Sequence, residues 1–259
     1  MNIYSISLLL AWSSNLIIGF LVFFKNPKNR VNQSFFFLSV ILTFWLLGCF
    51  GETVTSYKTT ALFWDRVLYT GVCLYPLLYL NFLSNILQLK VRKSVIRSIA
   101  AVCFIFLLFN YIPFLRTYLI STVERRFPFR FIAVPNLFWF VLVGFVMTIG
   151  TYGVFLKFRV YKKASSEKRN QMKYLFIAYA ILTTGGGMYF LLPLNINVPP
   201  IDSTMVVIFS IIMAVAILKY RLMDIRVVIT RTGIFIAVYA AVLGIPFAAA
   251  TWYQGLLIK

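Results

Sequence analysis

Apolar runs of roughly 20 residues recur along this 259-residue chain, and no stretch between them is long enough to be a soluble domain. A helix crosses a bilayer core about 30 Å thick with about 20 mostly apolar residues, all its backbone groups bonded internally. Such runs fall at 3–24, 34–50, 62–87, 95–114, 136–156, 174–192, 203–218 and 233–258. The expected fold is all-α, a polytopic membrane bundle of about eight transmembrane helices. Composition agrees: 61% of residues are hydrophobic and 12% charged, with a mean hydropathy of +0.89. Soluble domains are about 45–50% apolar and about 25% charged. The first run lacks a basic leader and a small-residue cleavage site, so it is expected to be a retained helix and not a signal peptide.

A formal charge of +19 would suggest nucleic acid as the partner of a soluble protein. Here the basic residues form short clusters between apolar runs, the pattern left by the positive-inside bias and by anionic lipid headgroups, so nucleic acid is not expected. Of the 25 Lys and Arg residues, all but Lys58, Arg66, Arg116, Arg125, Arg126, Arg130 and Lys259 lie in the alternate loops 25–30, 90–97, 157–173 and 219–231. That bias puts those loops in the cytoplasm and both ends of the chain outside the plasma membrane. Trp64, Trp139 and Trp252 then fall near the outer ends of their helices, where amphipathic rings settle at the interface.

Catalytic chemistry has little to work with. The sequence has no His and only 6 carboxylates. Of these, Glu52, Asp65, Glu124 and Asp202 are placed at the outer face, Glu167 and Asp224 at the inner. No two share a helix at a spacing that brings them together, and no Gly-rich phosphate loop is present. Cys49, Cys73 and Cys103 each sit within an apolar run at no metal-site spacing and read as small core residues. No metal, no cofactor and no enzyme activity are expected of this chain.

Four features could still carry function. Trp64, Asp65 and Arg66 near the outer end of the third run form either a ligand-facing or interhelical polar site or a group that snorkels to the interface. Gly185, Gly186 and Gly187 interrupt the sixth run, lining a cavity with freed backbone or packing helices closely. Arg125, Arg126 and Arg130, interleaved with Phe127, Phe129 and Phe131, could bind an anionic ligand or lie on outer headgroups. Lys219, Tyr220, Arg221 and Asp224 close the seventh run in a basic turn that acts as a stiff lever or as a plain anchor.

The stretches 26–32 (NPKNRVN), 63–66 (FWDR) and above all 217–225 (ILKYRLMDI) resemble the seven-transmembrane N-terminal sensor region of bacterial membrane histidine kinases, over residues 3–226. The resemblance implies a stimulus-sensing bundle at 1–226 that relays to a cytoplasmic kinase module, in the same or another polypeptide, and works as a homodimer among membrane lipids. Two features depart from the family: the phosphoacceptor His must lie elsewhere, since this sequence has no His, and 227–259 is expected to be an additional transmembrane helix, which either continues into a C-terminal part or belongs to a bundle that works through partners. A transporter or channel is the alternative, although its interrupted helices should come as a symmetric pair. A lipid-directed transferase would need more acids at one face.

Overall fold

The structure, a computed structural model, describes residues 3–126, 129–196 and 201–218. Its elements run α1 (Ile3–Lys25), α2 (Arg30–Val54), α3 (Lys58–Leu87), α4 (Lys93–Tyr111), α5 (Pro113–Leu119), β1 (Ile120–Arg126), β2 (Phe129–Pro135), α6 (Leu137–Lys163), α7 (Ser166–Tyr189) and α8 (Asp202–Leu218). Five of them, α1, α2, α3, α4 and α6, are long and apolar enough to cross a membrane, and α8 is a shorter apolar helix. The expected run at 233–258 lies outside the described residues.

Local chemistry sets the helix ends. Asn29 caps α2, its Oδ1 accepting from the backbone N–H of Val31 at 2.9 Å. α3 ends on Gln88 in the left-handed region (φ 55°), with the N–H of Leu89 reaching back to the Ser84 carbonyl at 2.8 Å. Pro113 cannot continue α4 and opens α5 instead.

The tightest packing is between α2 and α3, and small residues make it possible. A Cβ on Gly48 would stand 2.6 Å from the backbone of Leu68, and one on Gly71 2.6 Å from the Ile41 carbonyl oxygen. α1 joins the pair through Gly19, set against Ser39, and α8 packs against α1 and α7. Buried amides add directional ties, which count in an apolar solvent where no water can substitute. Asn15 donates to the Ser39 carbonyl at 2.7 Å and Thr43 Oγ1 at 2.8 Å while accepting from Ser210 at 2.7 Å, so one side chain joins α1, α2 and α8.

Several expectations need correction. The fold is mostly helical but not all-α, because β1 and β2 pair as an antiparallel hairpin with Val123 opposite Ala133 and Glu124 opposite Ile132. It covers the end of the bundle where α2 meets α3. The basic stretch 157–173 is no long loop: α6 runs to Lys163 and α7 starts at Ser166. Gly185, Gly186 and Gly187 do not interrupt α7, which stays helical through Tyr189; of the three only Gly185 is tightly packed, against Met205 of α8. Trp139 stands near the start of α6 but turns inward; it is 1% exposed and donates its indole N–H to Tyr69 Oη at 2.6 Å. Cys49, Cys73 and Cys103 are buried, unpaired core residues, as expected.

Candidate functional site

Beneath the hairpin lies a buried polar cluster assembled from different helices. Asp65 of α3 is 0% exposed and ion-paired with Arg116 of α5. Arg116 also donates to Asn110 Oδ1 at 2.7 Å and to the Asn110 carbonyl at 3.2 Å, and Asn110 Nδ2 donates to the Arg66 carbonyl at 2.9 Å. The short helix α5 therefore holds a guanidinium against the flank of α3, with α4 fixing its orientation. Pro113 makes this possible, since the turn it forces folds Arg116 back beneath the end of α4.

Glu52, two residues before the end of α2, faces the same cluster at 0% exposure and within electrostatic reach of Asp65 and Arg116. Both its carboxylate oxygens lack a hydrogen-bond partner among the described residues, as does Oδ1 of Asp65. Two buried carboxylates thus lie near one guanidinium, which is ion-paired with Asp65 alone among the described residues. Burying a charge without full compensation costs several kcal/mol, so the cluster's stability depends on what else enters it, a proton, a cation or a rearranged helix.

The cluster extends across the bundle. Tyr4 of α1 donates to Asp202 Oδ1 at the start of α8 at 2.7 Å, and Asp202 is 2% exposed with Oδ2 unpartnered. Phe129 of β2 closes over both sides, meeting Tyr4 edge-on at 5.2 Å and Tyr189 of α7 at 6.0 Å. Every long helix among the described residues therefore has one end in or beside this region, roofed by the hairpin.

The residues singled out from the sequence fall unevenly on this site. Asp65 is at its centre as an interhelical group and does not snorkel. Trp64 packs on Gly51, where any Cβ would collide with its indole, and Arg66 keeps a buried, unpartnered Nε. The hairpin arginines act as ties. Arg126 donates to the Leu192 carbonyl at 2.6 Å, Arg130 to Ser56 Oγ at 2.7 Å, and Arg125 stacks 5.8 Å from the Phe131 ring centre. Arg126 and Arg130 anchor the roof to the α7 end and to the α2–α3 turn, while the Arg125 contact stays within the hairpin. Lys219, Tyr220, Arg221 and Asp224 lie outside the described residues. The sequence reading passed over Glu52 and Arg116 as site residues. No local spacing marks them, because their neighbours come from other helices.

Comparison with known families gives the class. The model of the N-terminal 7TM region of histidine kinase matches residues 7–226, most of the chain. The chain belongs to that family. Comparison with curated proteins gives no match. For the N-terminal 7TM region of a histidine kinase, the cluster at the hairpin end is the place where most helices share one set of polar contacts. Among the described residues no group of His, Cys, Asp and Glu is arranged to hold a metal ion.

Proposed function

We propose that this bundle is the sensing part of a two-component signalling protein, and that it relays a stimulus by changing how its helices pack around Glu52, Asp65 and Arg116. The observation that carries the reading is the ion pair between α3 and α5 with a second, unpartnered carboxylate on α2 beside it. Such a cluster has more than one reasonable arrangement, and a stimulus acts by favouring one of them through a difference in binding free energy. Catalysis belongs to a kinase module in the same or another polypeptide, and two copies of the bundle bring two such modules together in the membrane. Lys219, Tyr220, Arg221 and Asp224 would carry the change from α8 toward that module.

In this reading the hairpin end faces outward and the end rich in Lys and Arg faces the cytoplasm of the cell's plasma membrane. The ends differ as the positive-inside bias requires: Lys25, Lys28, Arg30, Lys90, Arg92, Lys93, Arg97, Lys162 and Lys163 all lie at the end away from the hairpin. A cysteine at Tyr57, which is 74% exposed beside the hairpin, should react in intact cells with a membrane-impermeant maleimide, while one at Asn29 should not. The reverse pattern rejects the orientation. The signalling role is tested in the whole protein with Glu52→Gln, which keeps the shape and removes the charge. Altered basal phosphorylation or a shifted stimulus response supports the reading. Unchanged output on both counts sinks it.

A further inference from the structure

A cavity of about 90 Å³ lies between α2, α3, α6 and α7, away from the ion pair. Its wall is almost wholly apolar, and three of its four helices supply glycines: Gly71, Gly150, and the pair Gly186 and Gly187. Gly71 is forced by close backbone packing. The α7 pair is not, since among the described residues a Cβ on Gly187 would meet nothing within 4 Å and one on Gly186 only the far edge of Trp45 at 3.5 Å. Packing does not require glycine there, and its effect is to leave the space empty.

The mouth of this cavity faces sideways. Met147, which lines it, is 44% exposed, and the outward residues around it on α6 and α7 are Phe140, Val141, Phe155, Phe158 and Ile177. In a membrane-spanning bundle that surface meets hydrocarbon, so the occupant arrives dissolved in the bilayer. The volume is below the ~150 Å³ that admits benzene, which favours a length of flexible chain over a ring system.

A charge lies along the same groove. Lys157 of α6 is 1% exposed, with its ammonium 3.3 Å from the ring centre of Tyr179, a residue of the cavity wall, and 5.6 Å from that of Phe176. No carboxylate pairs with it among the described residues. Cation–π contacts offset only part of the cost of burying an ammonium, which leaves it short of an anion. From Lys157 to Val146 at the cavity, α6 rises about 16 Å, the reach of a long acyl chain.

We propose that the groove between α6 and α7 binds a single-chain anionic amphiphile of the fatty-acid type. Its carboxylate pairs with Lys157 once the Tyr179 ring swings aside, and its chain ends in the cavity beside Gly186 and Gly187. Binding is read directly and does not depend on the sensor role, so each can fail without the other.

The test uses the full chain in nanodiscs with a diazirine-bearing fatty acid and its neutral alcohol analogue, mapping labelled peptides by mass spectrometry. The acid should label the stretches around Met147 and Thr183. Gly187→Leu, which fills open space, should abolish that labelling while leaving the fold intact, with Gly186→Ala as a milder filler. Lys157→Gln should cut labelling by the acid about tenfold and leave that by the alcohol unchanged, and Lys157→Arg should retain it. Labelling spread evenly over the lipid-facing surface and indifferent to Gly187→Leu overturns the proposal. So does a photoreactive residue at position 147 that crosslinks to 227–259 of the same chain and not to lipid.

Discussion

The α2–α3 and α6–α7 interfaces both use glycine, to opposite ends. At the first, Gly48, Gly51 and Gly71 bring backbone onto backbone or ring, and any added Cβ falls 2.0–2.6 Å from the neighbouring helix. At the second, a Cβ on Gly150 would meet only the Tyr179 hydroxyl, the far end of a flexible side chain, at 2.5 Å, and one on Gly187 would meet nothing among the described residues within 4 Å, with a cavity alongside. The residue type is the same; what differs is whether a partner helix has filled the space. In lipid, association rests on van der Waals contact and buried polar ties, because tails are as apolar as Leu. The α2–α3 pair, capped by Asp65 and Arg116, is therefore the rigid half of the molecule, and the α6–α7 side is the half with room to change.

That contrast can be broken or sharpened by mutation. The largest effect should come from Asp65→Ala, which strands the Arg116 guanidinium in a closed site and should cost about 3–5 kcal/mol. The double variant Asp65→Leu with Arg116→Met should recover much of it, read as denaturation midpoints in detergent micelles. If the double variant is no better than the single, the ion pair is not the tie described here.

Gly48→Ala comes next. Its methyl must displace the Leu68 backbone, and overpacking of this kind costs about 1–3 kcal/mol. A wild-type midpoint for this variant would mean that α2 and α3 are not in close contact. Trp139→Phe should cost about 1–2 kcal/mol by leaving the buried Tyr69 hydroxyl without its donor, and Trp139→Phe with Tyr69→Phe should cost less than the two effects summed.

Gly187→Ala should have the smallest effect and the opposite sign. With open space around the new methyl and a helical backbone, it should stabilise by up to about 1 kcal/mol. A clear loss of stability would show that Gly187 packs as tightly as Gly48 and would erase the distinction between the two interfaces.

Some of this was legible in the residues. Apolar length placed every long described helix, two of them to within a residue at each end: the run at 3–24 became α1 and that at 203–218 became α8, whereas that at 62–87 shares its end, Leu87, with α3, which starts four residues earlier at Lys58. The hairpin was missed although its signal was present. In 129–131 inward Phe129 and Phe131 flank outward Arg130, an alternation that belongs to a strand, but the charges drew it toward a lipid-surface reading. Its Arg residues were legible as special and not as ties, because the carbonyls they bind, at Leu192 and Val54, are remote in sequence.

What the sequence determined by itself is the medium and the class: hydrocarbon length, basic loops and the stretch at 217–225 are local properties that need no partner to be read. The tertiary structure decided which polar groups face each other and which glycines face space. Glu52, Asp65 and Arg116 lie on three elements and meet only when α2, α3 and α5 are packed. Gly48 and Gly187 are the same residue in the same kind of helix until a neighbour arrives. Burial and pairing are properties of neighbours, and neighbours are set by the fold.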